Sequence, residues 1–195
     1  MPLSIAQTTA PTVEPLTFDE VKPYIRVSDD TERPFIENIL IKSAREYVET
    51  YTKRQLITAT WRLRLPAFPP YIVLPRPTLQ AVSSITYVDN AGAAQTVTAA
   101  DYTYDVSEEP AIVRLAYGDS WPTHRGGAED YVAVTYTAGY GATSASIPAG
   151  IKLAMLLLIS HGYDQRSPIV IGTISQDVDL TVAAQLSRFR VGWEW

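Results

Sequence analysis

A Ser–His–Asp grouping, two acidic turn stretches and a closing run of aromatic and arginine residues are the parts of this sequence that could do chemistry. Ser160, His161 and Asp164 bring a hydroxyl, an imidazole and a carboxylate close together in the chain. Nucleophilic catalysis needs the hydroxyl and the imidazole to face each other. Adjacent residues of a helix point in different directions, and no Gly-x-Ser-x-Gly elbow occurs. A histidine near a helix C-terminus more simply supports the helix end. Asp89–Asn90 and Glu108–Glu109 could serve glycoside hydrolysis if two carboxylates faced one cleft, but turn residues explain them adequately. Asp177 and Asp179 offer oxygen ligands without the surrounding spacing of a calcium loop, so a solvated loop is expected there. Arg62 and Arg64 alternate on one strand face with Arg76 nearby, as ordinary exposed strand positions or as a small basic patch. TAGYG, residues 137–141, resembles a potassium-channel filter, yet nothing around it reads as a membrane helix; two glycines turning a strand end is the simpler account.

The last ten residues, LSRFRVGWEW, are different. Phe189, Val191, Trp193 and Trp195 are interleaved with Arg188 and Arg190. Aromatic and arginine side chains dominate binding hot spots. An apolar tail either folds back on its own core or docks on another protein, and the residues alone leave both open. Alternation of Phe189, Val191 and Trp193 would suit a strand added to a partner's sheet edge.

The 195 residues suffice for a sizeable core, and 46% apolar with 19% charged residues predicts a folded chain. With no cysteine, disulfides, thiolate chemistry and cysteine-ligated zinc are excluded, and with only two histidines a histidine-rich metal site is not expected. No cofactor is expected. A formal charge of −5 argues against affinity won by neutralising phosphates. No signal peptide or membrane span is read, so assembly in the cytoplasm is the expectation.

Residues 1–15 read as a flexible arm unless a partner orders them. Thr17 and Glu20 have capping-box spacing and Leu16 and Val21 the staple positions, predicting a short helix that Pro23 truncates near Arg26. A second helix opens at Asp29–Asp30. Its apolar face is expected to carry Phe35, Ile36, Ile39, Leu40, Ala44, Tyr47, Val48 and Tyr51, and it ends around 52–54. The period then changes to two. Trp61, Leu63 and Leu65 face inward from a strand, and further strands over YIVLP, VSSITYVD, DYTYDV, IVRL and YVAVTYTA make an antiparallel sandwich or small barrel. Turns at Pro69–Pro70, Asn90–Gly92, Glu109–Pro110 and Gly126–Gly127 separate them. Pro148 starts a helix whose only charge over 151–163 is Lys152. Apolar on most faces, it must be covered on most faces, and Leu153, Met155, Leu156 and Leu157 are candidate subunit-packing residues. A mobile loop over 169–179 and a weaker helix over 180–189 follow. The fold class is therefore α+β: a helical body (16–56 and 147–185: two N-terminal helices plus a long apolar C-terminal helix), an inserted antiparallel β region (57–146) and a terminal segment (186–195).

In series, LTFDEVKPYIRVSDD, FIENILIKSAREYVETYTKRQLITATWRLRL, LPRPTLQAVSSITYVDNAGAAQTV, YGDSWP, VTYTAGYG, IPAGIKLAMLLLISHGYDQR and RFRV resemble the head–tail connector (adaptor) proteins of tailed bacteriophages, prophages and gene transfer agents. The resemblance covers nearly the whole chain from Leu16 and rests on the series, since none of its motifs is catalytic. It implies a structural virion protein without enzymatic activity, found at the head–tail junction and forming a ring of about a dozen copies beneath the portal. Such a ring extends the DNA channel, lets double-stranded DNA pass without specific binding, and offers a platform for a stopper or tail-completion protein. The resemblance also implies portal docking by Leu186, Arg188, Phe189, Arg190, Val191, Trp193 and Trp195. Removing 186–195 should then abolish portal binding and barely move the thermal transition. The alternatives are a carbohydrate-binding or glycan-active β domain, for which Trp61 and Trp121 are the candidate platforms, and another virion part such as a stopper or tail-completion protein.

Overall fold

The computed structural model describes residues 4–125, 132–165 and 176–192. The chain divides into two compact units, each with its own core. It is mixed α+β, with antiparallel sheets and a few helices.

Of the described residues, the first unit takes in 4–11, 58–125, 132–139 and Gly192. It contains β1 (Ser4–Thr9), β2 (Ala59–Leu65), β3 (Tyr71–Val73), β4 (Leu79–Val88), β5 (Ala94–Thr96), β6 (Tyr102–Tyr104), β7 (Ile112–Leu115) and β8 (Val132–Ala138). One antiparallel sheet has the order β1-β2-β8-β4-β5, and a second has β3-β7-β6. The alternation in β2 buries Trp61, Leu63 and Leu65 and turns Arg62 outward. In register, Tyr136 of β8 lies between Trp61 of β2 and Val82 of β4, and Val134 lies between Leu63 and Ile85. Ile72, Val113 and Tyr102 of the smaller sheet join the same apolar cluster. The buried Tyr136 hydroxyl donates to the Pro75 carbonyl at 2.8 Å, so this phenol is not stranded in the core.

Two features of this unit depart from expectation. Residues 4–9 form a strand on the edge of the larger sheet instead of an arm. β5 likewise escapes a pattern reading, because all three of its residues are exposed. The expected Gly126–Gly127 turn lies outside the described residues.

Of the described residues, the second unit takes in 12–57, 140–165 and 176–191. Its helices are α1 (Phe18–Val21), α2 (Arg33–Phe35), a π-helical segment (Ile36–Ile41), α3 (Lys42–Thr52), α4 (Ala149–Asp164) and α5 (Gln176–Ser187). The capping box of α1 is formed: Thr17 Oγ1 accepts from the Glu20 amide, and the Thr17 amide donates to Glu20 Oε2 at 2.8 Å. α3 ends where Lys53 adopts a left-handed conformation, φ 58°.

The π segment changes which residues point inward. Ile36 and Ile41, five positions apart, are both buried, whereas Phe35 and Ile39 are 37% and 54% exposed. A wider turn adds a residue and rotates the apolar face, so a strict 3.6-residue reading misplaces Phe35 and Ile39. α4 buries Ile151, Ala154, Met155 and Ile159. α5 starts at Gln176, so the loop expected over 169–179 is replaced by helix for its last four residues. Residues 169–175 lie outside the described residues. No helix among the described residues is long and apolar enough to cross a membrane.

Candidate functional site

The catalytic candidates are not assembled into a centre. Ser160, His161 and Asp164 lie on α4, with Asp164 exposed. His161 lines a small cavity of about 190 Å³ with Leu40, Ser43, Ala44, Tyr47, Leu158 and Gly162, and the other lining residues bring it no carboxylate. The acidic turn residues have local partners. Asp89 Oδ1 accepts from the amides of Ala91 and Ala93, and Oδ2 from Gln95 Nε2, each at 2.9 Å. Those bonds hold its carboxyl below the usual carboxylate range. Glu108 makes a bidentate pair with Arg114 at 2.8 Å, and Glu109 accepts from Thr78 Oγ1 at 3.0 Å. These carboxylates stitch turns to strands. Asp177 and Asp179 belong to a helix, which corrects the expected loop. No group of three metal-ligating side chains occurs among the described residues.

The two candidate sugar platforms are covered. Trp61 is 9% exposed, with the Arg76 guanidinium 5.3 Å from its ring centroid. Trp121 stacks on Phe68 at 4.8 Å and 8°. Arg76 therefore sits on the Trp61 side of β2, opposite to Arg62 and Arg64, and the three form no common basic patch. In TAGYG only Gly139 has positive φ, 133°. Gly141 answers to space instead: a Cβ there would lie 2.3 Å from Ser146 Oγ.

A polar node unites distant parts of the second unit. Lys152, the lone charge of its helical stretch, places Nζ 2.7 Å from Glu20 Oε1 and 2.8 Å from Ser144 Oγ. Ser144 Oγ also donates to Glu20 Oε2 at 3.0 Å. Burial opposes charge on Glu20, but the bonds from Lys152, Thr17 and Ser144 outweigh it and hold its pKa at about 2. The α1 cap is thereby tied to α4. Nothing in the local sequence around Glu20 announces this partnership, beyond the isolation of Lys152 in an apolar run.

The segment that follows α5 folds back on its own unit for the stretch that is described. Leu186 is 0% and Val191 5% exposed, and Phe189 packs half-buried against the same apolar cluster. The Val191 amide donates to the Thr52 carbonyl at 3.1 Å, and Arg54 Nε donates to the carbonyl of Phe189. Leu186 and Val191 are therefore buried in the core of this unit. The helical period from Val182 to Leu186 carried that signal. Arg188 and Arg190 remain exposed, with the Arg190 guanidinium 5.6 Å from the Tyr51 ring centroid. Trp193 and Trp195 lie outside the described residues. Among the subunit-packing candidates, Met155 is 0% exposed and belongs to the core, which corrects its assignment. Leu153 is 39% exposed, while Leu156 and Leu157 are half-buried against the core.

Comparison with known proteins gives this arrangement its relatives. No curated protein sequence matches the chain. Three solved chains share its fold. One, from the neck of an empty gene transfer agent particle computed with C6 symmetry, is 24% identical with a TM-score of 0.77. A second, from the virion of a native gene transfer agent particle, is 23% identical with a TM-score of 0.78. A third, from the neck of a native particle computed with C12 symmetry, is 24% identical with a TM-score of 0.69. Each comparison covers 99% of this chain and 98% of the other. Residues 14–175, most of both units, match the model of the head completion protein family, and the chain belongs to that family.

Proposed function

We propose that this protein is a structural head–tail connector subunit, an adaptor that completes the head by forming a ring under the portal. The ring extends the DNA channel and offers the surface on which a stopper or tail-completion protein sits. Membership of the head completion family carries this reading, and the shared fold over the full length with chains of gene transfer agent necks supports it. Closed rings require each subunit to present one face to the next copy and another to the previous one. Exposed Leu153, with Leu156 and Leu157 beside it, supplies apolar surface for such a contact. A net charge of −5 suits a channel through which duplex DNA slides without sticking.

Portal docking falls to the outward residues of the terminal segment, Arg188 and Arg190, and to Trp193 and Trp195, whose side-chain types are those of binding hot spots. Leu186, Phe189 and Val191 serve it indirectly by fixing the base of that segment on the second unit. The role is structural, without catalysis or cofactor, at the head–tail junction of a virion. The test is electron microscopy of the purified chain mixed with its cognate portal. A ring stacked on the portal is expected, and it should be lost in W193A/W195A. A mixture in which the chain stays monomeric and the portal bare overturns the proposal.

A further inference from the structure

β1 is a strand that buries nothing. All six residues from Ser4 to Thr9 are exposed. β5 shares that property, but a tight turn closed by the Asp89 amide on the Ala93 carbonyl joins it directly to β4. β1 has no such local reason to be where it is. Thr8 Oγ1 donates at 3.3 Å to the carbonyl of Thr60, 52 residues along the chain. A long-range strand without buried side chains is held by its hydrogen-bond ladder alone, against the entropy of closing the loop.

The sequence of β1, SIAQTT, is equally undemanding. It carries no charge and no proline, the features that restrict edge pairing to one partner. Its ladder to β2 would form identically on the β2 of another copy. The chain leading out of β1 does not continue as helix. Pro11 and Pro15 fix φ and disfavour helix at the residues before them. From Glu14 onward the chain is fastened to the second unit, by the Glu14–Arg45 ion pair at 3.1 Å, by buried Leu16 and by the Thr17 cap. That leaves residues 10–13 as the connection between the ladder and this fastening, with a reach of about 14 Å when extended.

We infer that β1 is exchanged between copies of this chain: in the ring, β1 of one subunit completes the β2 edge of its neighbour and links the subunits in series. The inference rests on the ring reading above and adds to it the element that crosses from copy to copy. Exchange of an identical element adds a contact between subunits without requiring a new surface.

The chain contains no cysteine, so introduced cysteines report the pairing without background. Ala6 and Arg62 are direct register partners, as are Ser4 and Arg64. Opposed strand residues lie within disulfide distance. Full-length A6C and R62C chains, mixed in equal amounts, assembled with portal and oxidised, can close an Ala6–Arg62 disulfide only between copies. Most of the cross-linkable chain is expected to run as disulfide-linked heterodimer on a non-reducing gel. The A6C/R62C double variant should give a ladder of linked multimers in the ring. Rings seen by microscopy in which the double variant runs as an internally linked monomer, and the mixture gives no heterodimer, overturn the exchange and leave the ring reading intact. The same outcome is required of the S4C and R64C pair. If no ring forms at all, the connector reading fails and the exchange fails with it.

Discussion

Leu186→Ala separates the structure's account of the terminal segment from a docking account. Leu186 is fully buried in α5, within the apolar cluster that α3 and α4 also line. Truncating such a leucine removes its transfer energy and leaves a cavity, about 3 kcal/mol within a usual range of roughly 2–5 kcal/mol. For a chain of 195 residues unfolding as one transition, each kcal/mol moves Tm by roughly 2–4 °C, so a drop of about 6–12 °C is expected. Leu180 supplies the internal control. It sits in the same helix but is 63% exposed, and its replacement by alanine should change stability by no more than about 0.5 kcal/mol. Thermal melts of the free protein followed by circular dichroism read both. Near-equal Tm values for L186A and wild type, or equal losses for L186A and L180A, would refute the packing described here. Either result would return Leu186 to the list of residues that matter only against a partner.

Other consequences follow from the same two units. Glu20→Gln should destabilise the protein at neutral pH by about 0.5–1 kcal/mol, an exposed pair's worth. Glu20 is depressed from 4.5 to about 2 in the fold, so its contribution is present above pH 4.5 and is lost as pH falls towards 2. Denaturant midpoints of wild type and E20Q should therefore converge across that window, and a constant gap would contradict the node. Met155→Ala should cost about 2–5 kcal/mol in urea unfolding. Leu153→Glu, at a half-open position of the same helix, should leave the free protein's midpoint nearly unchanged and reduce ring formation by microscopy. Gly141→Ala should lose roughly 1–3 kcal/mol, because the new Cβ meets Ser146 Oγ and Cβ at 2.3 and 2.6 Å. Gly150→Ala should be far milder, since the nearest obstacle is the movable guanidinium end of Arg188.

Much of this architecture is legible where one physical signal dominates. β2 could be read residue by residue, because strict alternation of Trp61, Leu63 and Leu65 with arginines has no other solution. The α1 cap could be read from Thr17 and Glu20 alone. β1 could not, because a strand that buries nothing leaves no hydrophobic pattern and its partner is distant in the chain. Met155 and Leu153 could not be told apart, since a helix apolar all round does not declare which leucine-like side chain meets the core. The terminal segment leaves two readings open for a different reason. The alternation of Phe189 and Val191 with Arg188 and Arg190 imitates a strand, while the burial of Leu186 follows the helical period set by Val182. The polar node was hidden because Glu20, Ser144 and Lys152 are brought together only by the packing of the second unit.

The π-helical turn has one more implication. Between Ile36 and Ile41 the helix carries a residue more than an α-helix with the same inward positions would need. A one-residue deletion in that turn, at Asn38 or Ile39, would tighten it to ordinary α geometry while Arg33–Phe35 and Lys42–Thr52 kept their headings. Elsewhere in the same rod, losing a single residue would swing everything upstream by about 100°. The seam thus behaves as spare length, the place along this rod where the chain can gain or shed a residue without losing its bearings.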